Sequence, residues 1–353
     1  MNITPTIGNN CRAVALSTVL SYYGYPFSEA FCFGVGEAFD FSSSDIHFGL
    51  NRNYKCFSGN NENDIYTLAG HLKLAIDVSQ PKTKTETRKL IESYIKNDEP
   101  VIVRVAINKY MKYLSDSMTN NMEQMQSVFR IINGSAGNHV TVISNTGKDK
   151  VLLHEPNIME PVIISWDCLL DAMNPKDVVV RHPGNTIFHL RPTLSYCAIQ
   201  KHLSRIISNS IYNTMFRYLY GESDYFGIKQ VENFQNFFFK ETNQDTYSKN
   251  AVLFRFFCDI VSGGGFYRRL YGRFLKEANE QYIHDSEIGK LYSKYYKLSK
   301  KWSTVSKEIV QNTNVDAAGA SKLYETTLVD IAKTERELAE RLLQRSGELL
   351  HVL

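Results

Sequence analysis

The chemistry that the sequence offers first is that of a thiol. Cys11 stands where the polar loop Thr6-Ile7-Gly8-Asn9-Asn10 gives way to residues 11–23. That stretch carries Val14, Ala15, Val19, Leu20 and Tyr23 close to one helical face and stops at Gly24-Tyr25-Pro26. A cysteine at a helix start lies near unpaired backbone N–H groups and the positive end of the helix dipole, and both favour thiolate over thiol. A base must then lie within reach. His139 opens the strand pattern Val140-Thr141-Val142-Ile143-Ser144, and its imidazolium beside the thiol would lower the thiol pKa further from about 8.5. A third group has to hold the imidazole in one tautomer, and a residue just past the neighbouring strand can do so. Glu155 and Asn157 both follow the pattern Val151-Leu152-Leu153-His154. Glu155 is preferred because it follows directly and its charge stabilises the imidazolium; Asn157 is the competitor. The Cys11 backbone N–H and a side chain just upstream, Asn9 or Asn10, are the candidate oxyanion donors.

Several elements must position these residues. The spacing predicts helices over 11–23 and over 84–97, the latter closed by Asp98-Glu99-Pro100, followed by a buried strand Val101-Ile102-Val103-Arg104-Val105. The two strands around His139 are joined by 145–150, whose Gly147 and Asp149 suit a hairpin turn. The Met- and Asn-rich stretch 111–133 reads as irregular or helical and could serve as a lid. Val178-Val179-Val180 and residues 186–190 read as further strands. Beyond them the pattern turns almost wholly helical, with helices near 197–220, 225–240, 247–260, 265–282, 284–313 and 316–350, the last two forming a hairpin around 312–316. The expectation is an α+β protein of two domains, a catalytic domain over 1–196 and a helical domain over 197–353.

Bulk properties narrow the classes. With 353 residues, two domains are a better expectation than one. A net charge of +3 is too small for a nucleic-acid binder, and no apolar run approaches a membrane span, so neither nucleic acid nor membrane is expected as a partner. The N-terminus has no signal-peptide pattern, so a cytoplasmic location is expected. Six cysteines scattered singly argue for reduced thiols, without a disulfide framework, a metal site or another bound cofactor.

Other residues carry a functional and a plain reading side by side. Gly263-Gly264-Gly265 before a helix could bring backbone N–H groups to a phosphate or carboxylate; a tight interhelical turn is the stronger alternative. Arg268 and Arg269 could add positive charge there, or serve as internal salt bridges or a solvated face. Glu29 and Glu37 could bind a cationic amine, although Ser28-Glu29 suits a helix start better. His47, His71, His154, His182, His189 and His202 have no catalytic partner at a telling spacing and read as structural.

Cysteine early, histidine opening a strand and an acid or amide ending the next is the chain order of papain-like enzymes; spacing alone does not separate it from a buried structural cysteine. Residues 10–16, 23–29 and 33–39, with Pro100-Val101-Ile102-Val103-Arg104 and Asn138-His139-Val140-Thr141-Val142-Ile143, resemble the butirosin-biosynthesis protein H family. Phe226-Gly227-Ile228 and residues 263–275 resemble the helical domain usually fused to it. The resemblance implies a papain-like cysteine peptidase fold and transfer of an acyl or aminoacyl group to an amine. The donor would be a phosphopantetheine thioester on an acyl carrier protein and the acceptor a small amine or polyamine. Cys11 would be the nucleophile and His139 the base. The helical half would complete the substrate pocket, near residues 263–269. A peptidase or amidase using the same pair, and a binding protein in which Cys11 and His139 do not meet, are the competing expectations. The family often has His where this chain has Asn10, and Asp where it has Glu155. The sequence leaves the oligomeric state, monomer or homodimer, open.

Overall fold

The computed structural model describes residues 1, 3–47, 53–107, 109–110, 138–156, 158–175, 183–223 and 225–352. The fold is α+β. Its elements in order are α1 (Cys11–Tyr22), α2 (Glu29–Val35), β1 (Phe39–His47), β2 (Asn53–Asn60), α3 (Asp64–His71), β3 (Leu74–Ser79), α4 (Lys84–Lys96), β4 (Val101–Ala106), β5 (Asn138–Thr146), β6 (Lys150–His154), β7 (Val162–Ser165), α5 (Trp166–Met173), β8 (Ile187–Pro192), α6 (Tyr196–Gln200), α7 (Leu203–Tyr220), α8 (Ile228–Glu232), α9 (Phe234–Phe238), α10 (Gln244–Arg255), α11 (Arg268–Ala278), α12 (Ser286–Gln311) and α13 (Ala317–Val352). Two π-helical turns, Phe256–Val261 and Asn279–Ile283, extend α10 and α11.

The chain forms two compact units, Met1–Cys32 with Leu68–Ile199, and Phe33–Thr67 with Gln200–Leu353. The expected division at 196/197 therefore needs correcting, because 33–67 belongs with the C-terminal helices. The physical reason is aromatic burial: Phe41 stacks on Trp302 at 5.7 Å, Phe39 lies 4.5 Å from Tyr271, and Phe57 meets Phe254 at 5.5 Å.

In the first unit a six-stranded sheet runs in the order β3-β8-β4-β5-β6-β7, every neighbouring pair antiparallel. Helix α4 begins with a full capping box, Thr83 accepting from the Glu86 N–H and Glu86 reaching back. Its Ile91 and Ile95 join Val101, Val103 and Val105 of β4, Leu153 of β6 and Leu169 of α5 in one apolar core. Opposed residues in an antiparallel pair share a face, so Val105↔His139 and Val103↔Thr141 put His139 and Thr141 on the face that carries this core. Helix α1 packs against β5. The expected helices over 11–23 and 84–97 and the β5–β6 hairpin are present; Val178-Val179-Val180 and the stretch 111–133 lie outside the described residues.

In the second unit β1 and β2 form an antiparallel hairpin, and α12 and α13 run antiparallel, joined over 312–316 and bridged by Lys301–Asp330 and Arg341–Glu287. Its interior holds an ionic cluster. Arg268, fully buried, pairs with Glu335 at 2.7 Å and donates to the backbone carbonyls of Asp40 and Phe266, while Trp302 and Tyr218 also donate to Glu335.

Candidate active site

The site starts from the loop before α1. Asn10 is the N-cap: its backbone is extended, and its Oδ1 accepts the Ala13 N–H at 3.0 Å. That leaves Cys11 as the first helical residue, among the backbone donors that a helix cannot satisfy internally. The loop itself is fastened by a buried carboxylate. Glu29, at the start of α2, accepts the N–H groups of Asn9 at 2.6 Å and Asn10 at 2.8 Å. The carboxylate lies so close to Gly8 that a Cβ there would come within 2.3 Å of it, so any larger residue would have to displace the Glu29 carboxylate. The Gly8 N–H donates to the Pro156 carbonyl at 2.9 Å, tying the same loop to the residue after Glu155.

On the sheet, His139 Nε2 lies 2.8 Å from Glu155 Oε2. The other carboxylate oxygen, Oε1, accepts the Tyr110 hydroxyl proton at 2.6 Å. His139 is 8% exposed, Glu155 4% and Tyr110 0%, so solvent has little access to this chain of contacts. The Cys11 thiol hydrogen-bonds to the His139 ring and to the Val140 N–H. Since Nε2 faces Glu155, Nδ1 is the nitrogen left for the thiol. Burial alone would raise the Cys11 pKa, but the hydrogen bond and positive charge of His139, helped by Arg12, outweigh it and lower it. Burial likewise opposes charge on His139, yet the Glu155 carboxylate and the Cys11 sulfur raise its pKa to about 10. The two shifts both run in the direction of a thiolate–imidazolium pair. Cys258, fully buried without such a partner, is pushed the opposite way by burial.

Residues 10–134 match the family described as butirosin biosynthesis protein H, N-terminal. The N-terminal part of the chain belongs to the butirosin biosynthesis protein H family. Residues 171–342 match a domain of unknown function, DUF4872, which fits a fused second domain. No curated protein matches the chain. The butirosin biosynthesis protein H match contains Cys11, Glu29 and Tyr110, whereas His139 and Glu155 lie in the stretch between the two matched regions.

The residues singled out from the sequence of this family member fare differently. Cys11, His139 and Glu155 converge; Asn157 lies outside the described residues. Asn10 is buried as a cap, while Asn9 is exposed. Glu37 as a binder of a cationic acceptor is corrected: its carboxylate accepts from Asn213 at 3.0 Å and pairs with Arg217 at 3.3 Å. Arg268 as a ligand-binding residue is corrected too, because its guanidinium is spent on Glu335 inside the second unit. Gly263, Gly264 and Gly265 have φ of 66°, 118° and 62° and form a close-packed turn; a Cβ on Gly265 would lie 2.4 Å from Ser299 Cα. The glycine run is thus a turn between the π-helical turn Phe256–Val261 and α11. Arg269 is exposed, its guanidinium 5.4 Å from the Tyr296 ring centroid.

Two residues escaped the sequence reading. Tyr110 sits at the edge of the Met- and Asn-rich stretch, where no periodicity marks it. Glu29 was read as a first-turn acid, and it is one, with Ser28 Oγ accepting the Phe31 N–H as cap. Its reach to Asn9 and Asn10 is a contact between residues about 20 apart in the chain that no local rule shows. Among the described residues no cluster of metal-ligating side chains occurs, and no helix is long and apolar enough to cross a membrane.

Proposed function

We propose that this chain is a cysteine-dependent acyltransferase whose first unit is a papain-like catalytic domain. The observation that carries the reading is the Cys11 thiol hydrogen-bonded to a His139 that Glu155 holds from the other side. Family membership supports an enzyme of biosynthesis. In the first half-reaction the Cys11 thiolate attacks the carbonyl of an acyl or aminoacyl phosphopantetheine thioester on a carrier protein. The tetrahedral oxyanion collapses, the Cys11 acyl-thioester forms, and the carrier thiolate leaves with the proton held by His139. The Cys11 N–H and the exposed Asn9 side chain are the donors assigned to the oxyanion. In the second half-reaction neutral His139 takes a proton from a small amine or polyamine as it attacks the acyl-enzyme. An amide forms, and Cys11 departs as thiolate beside the renewed imidazolium.

Intact-mass measurement after mixing the protein with acyl-loaded carrier proteins tests this reading. A mass gain confined to the Cys11 peptide, absent in Cys11→Ala, and discharged faster by added amines than by water is the expected result. Discharge by water at the same rate with and without amines would make the protein a hydrolase. Acylation that persists in Cys11→Ala would remove Cys11 from the mechanism.

A further inference from the structure

We propose that Tyr110 is a positioning residue of the Cys11–His139 pair, acting through Glu155. The inference rests on the reading of that pair as the reactive centre.

A buried carboxylate needs donors on both oxygens, because an unsatisfied charged acceptor away from water is costly. Glu155 has His139 on Oε2 and the Tyr110 hydroxyl on Oε1. Tyr110 is itself fixed. Its ring is part of the core made by Val103, Val105, Ile143 and Leu153, and lies 5.9 Å from the His139 ring at 30°. Burial and the neighbouring Glu155 charge both oppose a phenolate, so the hydroxyl keeps its proton and acts as a donor. The carboxylate is therefore held at two points that belong to different elements, β5 and the helical residues that follow β4. A carboxylate anchored only through His139 could rotate about its own side chain, and a rotated carboxylate would no longer face the imidazolium. The Tyr110 hydroxyl donates to Glu155, so the part of its effect that depends on the hydroxyl passes through the orientation of that carboxylate.

The test uses the full chain and reads the pH dependence of Cys11 alkylation by iodoacetamide, located by peptide mass. The wild-type protein should alkylate at a rate that is high across neutral pH, with the thiolate formed well below the ordinary thiol range. Tyr110→Phe keeps the ring and removes the donor. It should slow alkylation at pH 7 about fivefold and move the onset of reactivity about one pH unit upward, a shift that a mere loss of packing would not produce. In a Glu155→Ala background the same Tyr110→Phe change should have no further effect, because its route to His139 is already gone. A thermal melt of each variant establishes that the fold is kept. An activated wild-type profile with an unchanged Tyr110→Phe profile would overturn the role of Tyr110 alone. So would an undiminished fivefold effect in the Glu155→Ala background. An ordinary thiol profile in the wild-type protein would instead overturn the reading of Cys11 and His139 on which the inference stands.

Discussion

Replacing Glu155 with Gln removes the charge opposite His139 while keeping the shape of the side chain. The raised His139 pKa, about 10 against a reference of 6.5, corresponds to a preference for the imidazolium on the order of 5 kcal/mol, since one pKa unit is about 1.4 kcal/mol. Glu155 shares that preference with the Cys11 sulfur. Breaking a buried ion pair costs about 3 kcal/mol. A pKa raised in the folded state stabilises fully below the unfolded value and fades as pH climbs through the folded one. The wild-type protein should therefore exceed Glu155→Gln in unfolding free energy by about 3 kcal/mol at pH 6. The difference should shrink to about 1 kcal/mol above pH 10, where the imidazolium is lost. Urea denaturation of both proteins at intervals between pH 6 and 10.5 measures the gap directly. Parallel stability curves across that interval would refute the ion-pair account of His139.

Three further outcomes follow from named contacts. Glu29→Ala leaves the N–H groups of Asn9 and Asn10 without their acceptor, and should cost about 2 to 4 kcal/mol in urea unfolding while slowing Cys11 alkylation through a looser loop. Gly265→Ala should lower stability by at least 3 kcal/mol, because φ is 62° and the new Cβ meets the backbone of Ser299; a melting temperature within a degree of wild type would contradict the close approach. Arg268→Ala strands the Glu335 carboxylate in the interior and should destabilise by about 3 to 5 kcal/mol, as read by chemical denaturation; a loss under about 1 kcal/mol would contradict the buried pair.

What the sequence made legible was whatever periodicity and caps determine. The helix start at Cys11, the strand opened by His139 and the placement of Glu155 past its neighbour all follow from short patterns of apolar residues and turns. The long helices of the C-terminal half were readable for the same reason, including the link at 312–316 between α12 and α13. Contacts between distant segments were not. Tyr110, Glu29 and Arg268 each find their partner far along the chain, and their local sequence is compatible with a surface role. Glu37 was misread on the same ground: an acid near a glycine-rich stretch gives no sign that Arg217 and Asn213 wait for it. The β1–β2 hairpin shows the limit most plainly. Its aromatic residues announce burial without saying against what.

The place of that hairpin sets a schedule for synthesis. Phe39, Phe41 and Phe57 leave the ribosome early, yet the rings that cover them, Tyr271, Phe254 and Trp302, belong to helices made near the end of the chain. At 5 to 20 residues per second the apolar hairpin waits roughly 10 to 50 s for its cover. During that interval it is an unprotected two-stranded ribbon, open at its edges and prone to associate with other chains. A nascent chain halted near residue 200 would therefore present a surface for a holdase chaperone, and the yield of soluble protein should rise when elongation through the C-terminal half is fast and chaperone is plentiful.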